Sequence, residues 1–382
     1  MALDFVAQRA LEIDASGIRK VFDLAAKLKD PINLSIGQPD FDVPELMKHQ
    51  ACDAIMAGKN RYTPTQGIGE LIEILRKQVI AETGWADPGM LILSGTSAGI
   101  MLAMFATLNP GDEVLFVDPY FVMYKHLPKL CGAVPVAVDT YPDFRLHAER
   151  IEGAITKRTK MLILCSPNNP TGITFTEGEL RAAAEIAQRH NLLVISDEIY
   201  DAFCYEPHRS IARLLPEQCI LLKGYSKTYG MTGWRLGYAA GSGAAKGVIE
   251  QMTKLQQYTF VCAPSMVQYA ALQAPAVDMG PAIEAYRRKR DRVVEGLREY
   301  FEINQPNGAF YIFPKVPGNG KDGGGMTATE FVQKAIDRNV LVIPGNVFSG
   351  RDTHFRISYA TTDAKLEQGV AILRELAKEI GR

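Results

Sequence analysis

Seven short apolar runs follow one another between about Leu91 and Ala240, at 91–93, 113–117, 133–138, 161–164, 192–196, 220–222 and 236–240. Stretches with helical spacing separate them. Strands that alternate with helices come back to a common sheet mostly as parallel neighbours. The chain is therefore expected to form an α/β fold, a mostly parallel seven-stranded sheet flanked by helices. Between two of the runs, Thr176 and Glu179 have the spacing of a capping box, which predicts a helix running to about His190.

The texture changes after Pro281. A long charged helix is expected there, then a strand near Phe310, a glycine-rich turn at Gly323–Gly325, and a helix, two strands and a final helix. The segment before about Pro44 carries too little apolar residue for a core of its own. It is expected to pack on the C-terminal part, giving a large domain over 46–281 and a smaller α+β domain from 1–45 plus 282–382.

A length of 382 residues with 47% apolar and 22% charged residues suits a folded enzyme-sized chain, and a formal net charge of -1 provides no field to gather nucleic acid or an anionic membrane. The densest basic run, Arg287-Arg288-Lys289-Arg290, lies between Glu284 and Asp291 and reads as a solvated helix face. Six cysteines without C-x-x-C spacing suggest reduced thiols in a cytoplasmic protein, with no disulfide framework and no metal site. The first twenty residues are charged throughout, unlike an export signal. The apolar stretch 90–108 is broken by Ser94-Gly95-Thr96-Ser97, which suits strand, turn and helix better than a membrane span.

Four segments combine residue types that chemistry needs. In Gly224-Tyr225-Ser226-Lys227-Thr228-Tyr229-Gly230-Met231-Thr232-Gly233-Trp234-Arg235-Leu236-Gly237, a lysine sits among small and aromatic residues at the end of a buried strand. A desolvated amine there can lose its proton and act as nucleophile or base. Asp197 ends another strand, in Ser196-Asp197-Glu198-Ile199-Tyr200, at the edge where open α/β sheets gather ligands, although an aspartate there also caps turns. Ser166-Pro167-Asn168-Asn169-Pro170-Thr171-Gly172 is composed of turn formers. Ser94-Gly95-Thr96-Ser97 joins strand to helix, and amides at a helix N-terminus favour a phosphate. Many such turns bind nothing.

Residues 224–237 resemble, position for position, the lysine-attachment signature of the class I/II pyridoxal-phosphate aminotransferases of fold type I, and further blocks match that family in order. The resemblance spans the chain from about Ser16 to the final helix. It implies pyridoxal 5′-phosphate as cofactor, joined to Lys227 as a Schiff base (the internal aldimine). Ser226 and Arg235 would hold its phosphate, a task that suits the fork of a guanidinium. Gly95, Thr96 and Ser97 match the phosphate loop; some relatives carry Lys at the position of Ser97. Asp197 would keep the pyridine nitrogen protonated, and Tyr200 and Asn169 would contact the ring hydroxyl. Phe121, in Asp118-Pro119-Tyr120-Phe121, matches the ring that stacks on the pyridine. The same match implies cis bonds before Pro119 and Pro170.

Three more blocks concern substrate and assembly. Gly37, in Leu34-Ser35-Ile36-Gly37-Gln38-Pro39-Asp40-Phe41, resembles the glycine lining the substrate carboxylate. Arg356, in Phe355-Arg356-Ile357-Ser358-Tyr359-Ala360-Thr361, resembles the arginine that clamps it together with Asn169. Tyr62, in Arg61-Tyr62-Thr63-Pro64, resembles the tyrosine that reaches the phosphate of a neighbouring subunit, which implies a homodimer with shared sites. Cys165 stands where many relatives have Asn, which leaves a thiol near the site. Ser16-Gly17-Ile18-Arg19 and the block after Phe355 look like the broad aspartate and aromatic amino-acid branch. A transaminase working by a ping-pong cycle between an L-amino acid and a 2-oxo acid such as 2-oxoglutarate is the activity implied.

Cofactor residues alone do not separate that activity from a carbon–sulfur lyase using the same cofactor. A nicotinamide dehydrogenase is disfavoured, because Gly241-Ser242-Gly243 has Lys246 at its third glycine position and falls late in the chain. A non-catalytic sensor that regulates transcription would need a DNA-binding segment, and none is evident.

Overall fold

The computed structural model describes residues 5–14, 17, 21, 28–318 and 325–380. Ser16, Ile18 and Arg19 and the glycine-rich turn before Gly325 lie outside the described residues. After a short strand β1 (Ile32–Asn33), the chain lays down β2 (Gly89–Leu93), β3 (Glu113–Asp118), β4 (Val134–Asp139), β5 (Thr159–Cys165), β6 (Leu193–Asp197), β7 (Cys219–Gly224) and β8 (Gly237–Gly241). These seven strands form one sheet in the order β2-β8-β7-β6-β5-β3-β4. Six run parallel, and β8 lies antiparallel between β2 and β7. The seven apolar runs of the sequence are these strands, and the sheet is the α/β arrangement expected from them.

Helices cover both faces, so the central strands are apolar on both sides. Successive side chains alternate: Ile163, Ile195 and Leu222 enter one core, and Leu162, Val194 and Leu221 the other. The helix Glu177–Arg189 opens with the expected capping box, in which Thr176 accepts from the Glu179 amide and the Glu179 carboxylate returns to Thr176.

The C-terminal part contains the long helix Gly280–Leu297, β9 (Tyr311–Ile312), the helix Ala328–Asp337, β10 (Val340–Leu341), β11 (Ile343–Pro344), β12 (Phe355–Ser358) and the helix Asp363–Ile380. β1 pairs in parallel with β10, and β12 lies between β11 and β9. The basic run differs from the expectation. Arg287 and Arg288 are exposed, but Lys289 reaches Asp40 and Arg290 is 7% exposed, donating to the Pro306 carbonyl and lying over the Tyr205 ring. Contacts remote in sequence draw these two cations inward.

The prolines also need one correction. The Asp118–Pro119 bond is cis as expected, but in the second block the cis bond precedes Pro167, not Pro170; Tyr141–Pro142 is cis as well. The reversal around Asn169 is made instead by the backbone bonds Asn168 N to Ile173 O and Gly172 N to Asn168 O, with Gly172 left-handed at φ 71°. No helix among the described residues is long and apolar enough to cross a membrane.

Candidate active site

The carboxyl ends of parallel strands carry loops to one edge of the sheet. Here β5 ends at Cys165, β6 at Asp197, and β7 leads into the short helix Tyr225–Thr228 that bears Lys227. Because β8 is reversed, its start lies at this same edge and brings Arg235 beside the turn after β2. A cleft of about 240 Å³ results. Of the residues singled out from the sequence, Gly37, Thr96, Ser97, Phe121, Asn169, Asp197, Tyr200, Ser226, Lys227, Arg235 and Arg356 line it. Two do not. Gly95 packs against Arg235 of the lining, and Tyr62 is 83% exposed.

Lys227 Nζ donates to the Gly37 carbonyl at 2.6 Å. Burial, and then the positive charges of Arg356 and Arg235, push its pKa down to about 8, with Asp197 pulling the other way. Asp197 is 3% exposed; its Oδ2 accepts from the Tyr124 hydroxyl at 2.7 Å and its Oδ1 from the Ile199 amide at 3.3 Å. Desolvation raises its pKa to about 6 against these donors. A buried carboxylate so placed favours a cationic partner.

At one end of the cleft begins the helix Thr96–Thr107, whose cap, Gly95, has φ 82° and offers no side chain to the first amides. Arg235, itself left-handed at φ 56°, folds its guanidinium against Gly95 so closely that a Cβ there would collide with it. Helix amides, the hydroxyls of Thr96, Ser97 and Ser226, and a guanidinium form a donor set suited to a phosphate. At the other end, Arg356 is 1% exposed, with Nη1 donating to Asn169 Oδ1 at 2.9 Å and Nη2 to the Ser35 carbonyl at 2.7 Å. Its plane lies over the rings of Tyr311 and Phe348, at 4.5 and 4.7 Å. Among the described residues no carboxylate pairs with it, and its Nε has no acceptor.

The cleft thus holds three cations, Lys227, Arg235 and Arg356, against one carboxylate, Asp197. A ligand with a phosphate, a protonated ring nitrogen and a carbonyl matches the residues from Arg235 to Asp197 and Lys227. A second ligand bearing a carboxylate matches Arg356. The residues therefore fit pyridoxal phosphate with an amino acid beside it.

Several lining residues escaped the sequence reading: Tyr124, Tyr311, Ile199 and Thr232. Tyr124 follows Phe121 by three residues at the start of the helix Val122–Leu130, a spacing that could have suggested a shared face. No local pattern marks Tyr311.

The family model for aminotransferases of class I and II matches residues 29–373. The chain is 36% identical over 380 residues to a probable aspartate aminotransferase of Methanocaldococcus jannaschii, covering 97% of this chain and 99% of the relative. It is 38% identical to aromatic-amino-acid aminotransferase 2 of Thermococcus litoralis, covering 98% of each. In structure it is similar to the aspartate aminotransferase of Thermus thermophilus solved with maleate, with a TM-score of 0.92, 33% identity, and coverage of 98% of this chain and 100% of that one.

Proposed function

The chain belongs to the class I and II aminotransferases, and from that premise we propose that it moves the amino group of an L-amino acid, aspartate-like or aromatic, to a 2-oxo acid such as 2-oxoglutarate in a ping-pong cycle at Lys227. It is an enzyme of the pyridoxal-phosphate-dependent transaminase type. The observation that carries the reading is the buried guanidinium of Arg356, without a carboxylate partner among the described residues and bonded to Asn169 at 2.9 Å. A buried charge left unpaired is costly, and an α-carboxylate would complete it.

Bound in this cleft, pyridoxal phosphate supplies a carbonyl that condenses with amines and a ring that accepts electrons. Its phosphate would be held by Thr96, Ser97, Ser226 and Arg235, with Gly95 leaving room, and its ring nitrogen by Asp197. Phe121 would cover the ring, while Tyr200 and Asn169 would reach the ring oxygen. Arg356, Asn169 and Gly37 fix the substrate carboxylate. Lys227 Nζ, its pKa pushed down to about 8, would take the proton from the substrate α-carbon and return it to the carbon of the carbonyl that the cofactor supplies. Residues 46–281 would carry the cofactor, and the two chain ends, 1–45 and 282–382, would bring Gly37 and Arg356.

We place the enzyme in the cytoplasm as a homodimer. Free thiols at all six cysteines support the former, and Tyr62, exposed on the single chain, supports the latter. Mixing the protein with pyridoxal phosphate should give an absorption band that Lys227→Ala lacks; an unchanged spectrum in the variant overturns the assignment. A screen of amino donors with 2-oxoglutarate then identifies the substrate. Release of ammonia without any oxo acid would instead mark a lyase.

A further inference from the structure

Four side chains close a ring of contacts along one wall of the cleft. Arg356 donates to Asn169, Asn169 Nδ2 approaches the Tyr200 hydroxyl at 3.5 Å, the hydroxyls of Tyr200 and Tyr311 lie 2.9 Å apart, and the Tyr311 ring returns under Arg356 at 4.5 Å. The first three have roles in the proposed reaction. Tyr311 has none, yet it is 1% exposed and tightly held: a Cβ on Gly37 would lie 2.6 Å from its hydroxyl, and its ring meets that of Tyr200 edge-on at 5.6 Å.

Counting protons fixes the direction of the tyrosine pair. A phenol has one proton to give and can accept twice. Asn169 Nδ2 is a donor, so toward it Tyr200 accepts. The Tyr311 hydroxyl has Tyr200 as its one hydrogen-bond partner among the described residues, and if Tyr200 donated to it, Tyr200 would have no proton left for a ligand. With Tyr311 donating, both are satisfied and the Tyr200 proton stays free to point into the cleft. The groups facing the pair are Arg356 on β12, Cys165 on β5, Lys227 with Nζ 5.9 Å from the Tyr200 ring centre, and Asp197 on β6. Burial keeps both phenols protonated.

We propose that Tyr311 is a positioning residue: by donating to Tyr200 it makes Tyr200 a one-way donor to the ring oxygen of the bound cofactor, and so sets the pH at which that cofactor titrates. This rests on the functional reading above. A hydroxyl that accepts a hydrogen bond becomes a stronger donor in turn. When the bound cofactor loses its proton, negative charge gathers on the ring oxygen, so a stronger donor there lowers the titration midpoint.

Tyr311→Phe removes the hydroxyl and leaves the ring under Arg356. With pyridoxal phosphate bound, the midpoint of absorbance against pH should rise by about half a unit to one unit, the worth of one hydrogen bond. Affinity for maleate, a test of Arg356, should stay within about twofold. Tyr200→Phe should raise the midpoint further, and adding Tyr311→Phe to it should change nothing more, because the effect passes through Tyr200. An unchanged or lowered midpoint in Tyr311→Phe, or additive shifts in the double variant, overturns the proposal. Absence of any cofactor band in the unaltered protein would instead sink the functional reading.

Discussion

The Tyr124 hydroxyl donates to Asp197 Oδ2 across 2.7 Å in the wall of the cleft, with both side chains almost fully buried. This bond, with the Ile199 amide, is what the sheet offers the carboxylate in place of water. It offsets burial only in part, since the Asp197 pKa remains raised to about 6.

That value has a stability consequence in the cofactor-free protein. The folded-state pKa lies above the ordinary 3.8, so the native state binds the proton more tightly than the unfolded chain does. The resulting stabilisation is fully present below pH 3.8 and is lost as pH rises through about 6. Asp197→Asn, which cannot ionise, should gain on the unaltered protein by on the order of 2–3 kcal/mol between pH 4 and pH 7. Urea unfolding of both proteins across that range measures it. A constant difference between them contradicts the expected titration.

Arg356 faces its ligand as a fork, and a lysine there keeps the charge but loses the paired geometry. Arg356→Lys should raise KM for amino acid and oxo acid alike by about 10–100-fold, the worth of a charge-assisted hydrogen bond. The cofactor absorption band should persist. Steady-state kinetics beside the spectrum separate the two.

Gly95 combines a left-handed φ of 82° with a guanidinium packed against its Cα. In Gly95→Ala the backbone strain alone costs about 1–3 kcal/mol, and the new methyl displaces Arg235. Affinity for pyridoxal phosphate should fall by about tenfold or more, while affinity for pyridoxal, which lacks the phosphate, should change little. Equilibrium titration with each compound distinguishes a damaged phosphate cradle from general unfolding.

Tyr62 is exposed and does not line the cleft of its own chain. If a second copy receives it, mixing Tyr62→Ala with Lys227→Ala protein under conditions that exchange subunits should create hybrids with one intact site. Tight cofactor binding should then reappear, although neither parent shows it. No recovery in verified hybrids would mean that Tyr62 serves its own chain or nothing.

The strands were legible because buried parallel strands need continuous apolar runs, and these stand out between helical stretches. So was the capping box at Thr176, a purely local device. Direction was not: the residues of β8 look like those of its neighbours, and only pairing with β2 and β7 reveals its reversal. Arg290 was misread for a related reason, since its charge is local but the Pro306 carbonyl and Tyr205 ring that draw it inward are not. Within the site, residues with a charged or hydroxyl group at a strand end or turn could be found. Tyr311 enters only through the pairing of β9 with β12, and two prolines three residues apart gave no sign of which bond is cis.

The reversed strand also ties the phosphate end of the cleft to a long-range pairing. Among the described residues β2 has β8 as its one strand neighbour in the sheet, so the turn that would grip the phosphate gains its paired strand only when Gly237–Gly241 is in place. Pairing strands so far apart along the chain closes a long loop, which is slow. The vitamin-derived ligand therefore rewards the pairing of β2 with β8, two strands far apart along the chain.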